Sequence, residues 1–311
     1  MGEFEGLVAA HRRELLAHCY RMLGSIQDAE DALQEALLGA WRGWSGFEGR
    51  SSARAWLYRI CTNACLRLLS RRPRRMLSPE HGPALKQTAD LGQPVPGPIW
   101  LEPWPGEAPE AANESDPESD YLRRESVELA FVAALRHLPG TQRAVLILRE
   151  ALEFPAGEVA ELLDTTPASV NSALQRARKA MAERVPATSQ RAELDALGEA
   201  GRRELVDAFV GAWERGDVEA LTALLAEDAR FTMPPLPAWF DGRADVAMFM
   251  RERLFTTPWK LRAITVNGQP GFACYQDGKL GAINALTIRD GRIAEISGFV
   301  DPALHRYFEA E

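Results

Sequence analysis

Along 167–181 the side chains Ser169, Asn171, Ser172, Gln175, Arg176 and Arg178 fall on one side of a 3.6-residue repeat, and Val170, Ala173, Leu174, Ala177 and Met181 on the other. Hydroxyls and amides come first, guanidiniums last. That order suits a helix whose early residues hydrogen-bond base edges in a major groove while its later arginines hold phosphates. The preceding residues are suited to deliver it. Val159, Ala160, Leu162 and Leu163 give 158–163 an apolar face, and Asp164-Thr165-Thr166-Pro167 supplies turn formers, an N-cap and a proline at a first helical position. An amphipathic helical hairpin with a solvated polar face carries the same signature, so the rest of the chain must decide.

A second stretch with nucleic-acid chemistry is 47–75. Arg50, Arg54, Arg59, Arg67, Arg71, Arg72, Arg74 and Arg75 lie there with Trp56 and Tyr58, and no acid follows Glu48. Arginines neutralise a backbone and planar rings stack on unpaired bases; Trp56, Leu57 and Ile60 also fit a core, which suits Trp56 better than direct stacking. Two helices must position this stretch. The first, 4–23, has Leu7, Val8, Leu15, Leu16, Cys19, Tyr20 and Leu23 inward and stops at Gly24. The second, DAEDALQEALLGAW (28–41), carries acids in its first turn and an apolar stripe of Ala29, Leu33, Ala36, Leu37, Ala40 and Trp41. Asp31, Gln34, Glu35 and Leu38 then face outward, an acidic surface that fits either protein docking or solvent.

The 311 residues, 46% of them hydrophobic, suffice for two or three domains. A formal charge of -8 excludes indiscriminate coating of nucleic acid, so DNA binding must come from local patches or be backed by a partner. The sequence has no long apolar run and its first residues lack a signal-peptide pattern; a cytoplasmic protein without membrane contact is expected. The four cysteines have no zinc spacing; Cys61 and Cys65, one helical turn apart, fit a redox switch, but small buried apolar positions are the expected role. No metal or cofactor is expected.

Prolines crowd 73–120 and predict an extended linker. Within it IWLEPWPGE (99–107) is too apolar for solvent, so Trp100, Leu101 and Trp104 are expected to dock on a folded surface. The acids that follow, Glu107, Glu110, Glu114, Asp116, Glu118 and Asp120, read as a spacer, or as a strand for a basic channel. From Tyr121 helices resume and prop up the helix-turn-helix. After a tether at 186–199 come helices at 202–215 and 218–225. The period then changes to two: strands are predicted at 228–233, 261–267, 271–276, 281–289 and 293–300, with hairpin turns at Asp277-Gly278 and Asp290-Gly291.

DAEDALQEALLGAW, then FEGRSSARAWLYRICTNACLRLLSRR, then SVNSALQRARKAM resembles, in that order and over roughly 4–185, the extracytoplasmic-function class of bacterial sigma factors. The resemblance implies core RNA polymerase (β′ clamp and β flap) and promoter DNA as partners. It puts Asp31, Gln34 and Glu35 in the helix that docks on the clamp coiled coil, and Arg54, Trp56, Arg59 and Asn63 in the region that melts and reads the −10 element. Ser169, Asn171, Ser172, Gln175, Arg176 and Arg178 fall in the helix that reads the −35 element. Many relatives have a basic residue where Asn171 stands and an arginine at Ala173, so a different −35 sequence is implied.

By WFDGRADV (239–246) and VNGQPGF (266–272), residues 200–311 resemble the SnoaL-like branch of the NTF2-like cone fold, which with WLEPWP points to the sigma subgroup carrying such a domain. The expected architecture is multidomain. Two all-α sigma domains, 1–75 and 121–185 (the second with the helix-turn-helix), are joined by a Pro-rich linker, 76–120. A tether, 186–199, leads to an α+β NTF2-like cone domain, 200–311. A regulatory role is expected for that domain, with Trp100, Leu101, Trp104, Asp241, Arg243, Asn267 and Gln269 between domains and room for a small-molecule ligand in its pocket. Catalysis through Asp228, Asp241 or Asp245 is the lesser alternative, because His11, His18, His81, His137 and His305 all lie outside the predicted strands. A stand-alone DNA-binding regulator is the other, and it would not need 28–41.

Overall fold

Gly24 takes φ 69 and gives its N–H to the Tyr20 carbonyl at 2.7 Å, ending α1 (Gly2–Leu23). Ser25 then accepts from Asp28 N at 3.0 Å and starts α2 (Ile26–Gly43); Ser52 does the same for α3 (Ala53–Leu69) through Ala55 N at 3.1 Å. The computed structural model describes residues 2–49, 52–107 and 127–309, in two compact units: 2–75 with 127–186, and 76–107 with 187–309. Arg50, the acids from Glu110 to Asp120 and the expected helical restart at Tyr121 lie outside the described residues.

In the first unit α1, α2 and α3 bury Leu15, Tyr20, Met22, Ile26, Leu33, Leu57 and Tyr58 almost completely. Trp41, expected in the buried stripe, is 46% exposed. It sits in the last turns of α2, edge-to-face with Phe4 of α1, ring centroids 5.3 Å apart. Cys19, Cys61, Cys65 and Cys274 are free and buried. His18 is buried with Nε2 2.8 Å from Thr62 Oγ1, and burial, then Arg21 and Arg54, push its pKa from 6.5 down to about 3. A depressed histidine pKa means that the unfolded chain takes up a proton which the folded chain refuses. Its contribution is therefore complete above 6.5 and is lost as pH falls toward 3, by up to about 1.4 kcal/mol per pH unit. Denaturant titrations at pH of about 7 and about 5 should show this loss in the wild type and a smaller one in His18→Gln.

The same unit holds α4 (Leu129–Leu135), α5 (Gly140–Leu146), α6 (Ala156–Leu162) and α7 (Pro167–Ala182). α5 runs on as a π-helical turn, Ile147–Ala151. Asp164, at φ 51, turns the chain after α6, and Thr166 Oγ1 accepts from Ser169 N at 3.2 Å with Pro167 opening α7. The two halves of the unit pack tightly. A Cβ on Gly140 would lie 3.0 Å from Leu66 Cδ2, and the buried Arg143 donates to the carbonyls of Met22 and Leu138.

In the second unit the 186–199 segment is not a tether. α8 (Gln190–Arg215) begins within it, because Ser189 caps Ala192 N at 3.2 Å and the Gln190 side chain pairs with both backbone groups of Ile288. Only Gly198, at φ 67 and ψ 174, interrupts that helix. α9 (Val218–Leu224) and α10 (Arg243–Glu252) complete the helical layer. The strands β1 (Leu225–Thr232), β2 (Trp239–Asp241), β3 (Lys260–Val266), β4 (Gln269–Gln276), β5 (Lys279–Arg289) and β6 (Arg292–Phe299) form a six-stranded sheet in the order β2-β1-β6-β5-β4-β3. Only the β1–β6 pairing is parallel. Asn267-Gly268, Asp277-Gly278 and Asp290-Gly291 all have positive φ, as two-residue hairpin turns require. Phe209, Trp213, Phe231, Phe240, Phe249 and Phe272 fill the space between sheet and helices, with Phe240 and Phe249 stacked at 4.6 Å.

Candidate nucleic-acid interface

α7 holds its apolar side, Val170, Ala173, Leu174, Ala177 and Met181, in the core and leaves Ser169, Asn171, Ser172, Gln175, Arg176 and Arg178 exposed. The proline and threonine cap fix its first turn, so its N-terminal donors and short polar side chains protrude together. Arg178 is tied back to Glu150 of the π turn, Nε to Oε1 3.1 Å. In α2, Asp31, Gln34, Glu35 and Leu38 are exposed, Leu38 at 53%. Glu35 pairs with Arg67 across to α3 at 2.7 Å, both groups half in water.

The residues expected at the −10 element separate into two pairs. Arg59 and Asn63 stand exposed on α3. Trp56 is half-buried in an aromatic cluster, 5.1 Å from Phe47 and 5.9 Å from Trp44. Arg54 donates to Glu14 through Nη2 at 3.0 Å and Nε at 3.2 Å, and its guanidinium lies 4.9 Å from the ring centres of both Tyr58 and Phe154. Burial raises the Glu14 pKa, but Arg54 and then His11 outweigh it and hold the carboxyl below its ordinary value. Neither Glu14, forty residues before Arg54, nor Phe154 was legible in the sequence as its partner, since both contacts depend on packing between distant segments.

In the second unit 76–107 is a strap on the C-terminal domain. Trp104 and Asn267 exchange hydrogen bonds: Trp104 N donates to Asn267 Oδ1 and Asn267 N to the Trp104 carbonyl, each at 2.9 Å. Gly106 N to Thr265 O (2.9 Å) and Gly268 N to Gly106 O (3.0 Å) continue the pattern, so the strap adds to the edge strand β3. Trp100, Leu101 and Trp104 are at most 5% exposed. Upstream the strap is fixed by Leu85 N to Trp239 O (2.8 Å), Trp239 Nε1 to Gly82 O (2.8 Å), Lys86 to Asp245 (2.5 Å) and Thr88 to Glu252 (2.5 Å). The other polar residues expected between domains make contacts within the C-terminal fold. Asp241 pairs with Arg230 at 3.3 Å, Arg243 donates to the Ala226 carbonyl at 3.4 Å, and Gln269 donates to the Leu286 carbonyl at 3.0 Å. Asp245 and Glu252, which do meet the strap, sit on α10, a helix that the sequence reading did not assign.

Among the described residues no helix is long and apolar enough to cross a membrane, and no His, Cys, Asp and Glu cluster could hold a metal. Residues 7–75 match the family Sigma-70 region 2, 128–181 match Sigma-70, region 4, and 206–296 match the SnoaL-like domain. The chain is 39% identical to the ECF RNA polymerase sigma factor SigG of Mycobacterium tuberculosis over 99% of its own length and 84% of that protein's. It is 26% identical to the ECF sigma factor SigJ of the same species over 97% and 92%. The crystal structure of M. tuberculosis SigJ shares the fold, with a TM-score of 0.61 and 24% identity over 97% of this chain and 98% of that one. A helix-turn-helix with an exposed polar reading face, a basic three-helix unit, an α+β domain after them and this identity to SigG lead to one assignment: the chain belongs to the extracytoplasmic-function RNA polymerase sigma factors, in a form that carries a SnoaL-like domain after its sigma regions.

Proposed function

We propose that the chain docks on the β′ clamp of core RNA polymerase through Asp31, Gln34 and Glu35, that its second sigma domain meets the β flap, and that the complex initiates transcription from promoters of its own. Arg59 and Asn63, joined by Arg54 and Trp56, open and read the −10 element, and α7 reads the −35 element. The observation that carries this reading is the face of α7: every polar side chain assigned to it is exposed, while its apolar side is wholly in the core. Replacing Arg176 by alanine then weakens binding to the preferred −35 duplex by about 1–3 kcal/mol and relaxes discrimination at one position. Fluorescence anisotropy on the preferred and scrambled duplexes checks this; equal weakening on both makes Arg176 a phosphate contact.

The C-terminal domain acts in this reading as a regulator that holds 76–107, the segment joining the two sigma domains. The pairing of Trp104 with Asn267 supports it. An enzymatic role is not proposed. The interior between sheet and helices is packed with aromatic rings, and the carboxyl of Glu295, whose pKa burial raises, lies on the sheet face opposite Phe231 and Ile296. A reconstituted run-off assay comparing the full chain with its strap variants tests the regulatory part.

A further inference from the structure

The short segment 147–154 is irregular throughout. It begins as the π turn Ile147–Ala151, closes with Leu152 N to Ile147 O at 3.1 Å and Phe154 N to Leu148 O at 2.9 Å, and passes through Glu153 at φ 58, a left-handed conformation that glutamate rarely adopts. Backbone of this kind is kept where the surroundings require it. Here it has two outlets. Glu150 in the π turn accepts from Arg178 of α7 at 3.1 Å. Phe154, which the left-handed residue delivers, is 4% exposed and closes over Arg54 of α3, 4.9 Å from ring centre to guanidinium. Tyr58 stands edge-on to the same ring at 5.2 Å and Glu14 accepts from the arginine, so the guanidinium is held by two rings and a carboxylate with its side chain 29% exposed. One segment thus engages an arginine from each of the elements assigned above to the −35 and −10 sequences.

We propose that 147–154 is an autoinhibitory latch: Phe154 on Arg54 clamps the helix-turn-helix half of the first unit against its three-helix half. Opening would release Arg54 for the −10 strand. The inference rests on the proposed reading for the role of Arg54 in DNA binding, but the latch itself depends only on contacts inside this unit. The ion pair with Glu14 stays within the three-helix half, so it positions Arg54 without bridging the halves. Phe154 bridges the halves at this arginine, beside the contacts of Gly140 with Leu66 and of Arg143 with the Met22 carbonyl, and the π turn with its left-handed exit sets the reach of that ring. Because Glu150 belongs to the same turn, distortion that frees Phe154 also disturbs the anchor of Arg178.

The test uses the full chain with spin labels at Ser70→Cys and Lys179→Cys, both exposed positions, the native cysteines being at most 1% exposed. Distances are read by pulsed electron resonance with and without Phe154→Leu, which keeps apolar bulk but removes the ring, and with Phe154→Ala. The latch predicts that both variants, folded by circular dichroism, shift the distance distribution to longer values. They should also bind a single-stranded −10 oligonucleotide about 2- to 30-fold more tightly, the range that loss of one cation–π contact allows. A distance distribution unchanged in folded Phe154→Leu overturns the latch, whatever the affinity does. Longer distances at unchanged affinity leave Phe154 as a clamp between the halves but overturn its autoinhibitory role, together with the assignment of Arg54 to DNA. Should Phe154→Ala not fold, Phe154→Leu and Glu150→Gln decide. Glu150→Gln is expected to lengthen the distances less than the leucine variant, and a larger effect from it would place the clamp at Glu150 and overturn the role of Phe154.

Discussion

Reversing two charges on α2, Asp31→Arg with Glu35→Arg, should strongly weaken association with core polymerase while leaving the fold intact. Both side chains are exposed, and arginine is at least as good a helix former as the residues it replaces, so helix propensity does not suffer. The one pair given up, Glu35 with Arg67, is half in water and worth about 0–1 kcal/mol. At an interface the same change sets like charge against whatever basic surface the acids meet. Truncating one member of such a buried pair costs about 2–5 kcal/mol, so reversing two should weaken binding roughly 30-fold to several-thousand-fold. Biolayer interferometry with core polymerase measures this directly. Unchanged affinity in the folded variant would remove α2 as the docking face and favour a regulator that acts without polymerase.

The second large effect is expected at the strap. Trp104→Ala removes a side chain that is 2% exposed and should cost the second unit about 3–5 kcal/mol. Asn267 allows a finer cut. Asn267→Ala leaves the Trp104 N–H without its acceptor and puts a Cβ-bearing residue with no polar side chain at φ 53. Asn267→Gly leaves the same N–H orphaned but relieves the backbone, so the difference between the two isolates the turn from the strap. Release should appear as proteolytic cleavage within 82–107 that the wild type resists, and as altered promoter-directed initiation in the reconstituted assay. Cleavage without any change in initiation would leave the strap as packing and refute its regulatory role.

The helices around Gly24 and Thr166 were readable because their stop and start signals are local: Gly24 with Ser25, and Thr166 with Pro167, behave as their types suggest, whereas the cap at Ser52 emerged from the structure. The hairpins at Asp277-Gly278 and Asp290-Gly291 were readable for the same reason. What escaped is short or distant. β2 spans only Trp239–Asp241, too few residues to establish an alternation, and α10 follows immediately from Gly242 at φ 94. The start of α8 at Gln190 depends on a side chain that finds Ile288 nearly a hundred positions away. The apolar character of Trp100, Leu101 and Trp104 announced that the strap must be covered, but nothing local could identify the turn at Asn267 as the partner of Trp104. The exposed face of α7 was legible from periodicity; the setting of Arg54 was not, because it is made by residues from three separate segments.

The central claim is that one chain carries a polymerase-docking face and two promoter-reading elements for use together. Run-off transcription with purified core polymerase, the full chain and a library of randomised −35 and −10 sequences tests it most directly. The account predicts a single enriched pair of elements at a fixed spacing, lost with Asp31→Arg/Glu35→Arg and altered only in its −35 half by Arg176→Ala. No enrichment over core enzyme alone, from a chain that is folded and full length, would contradict it.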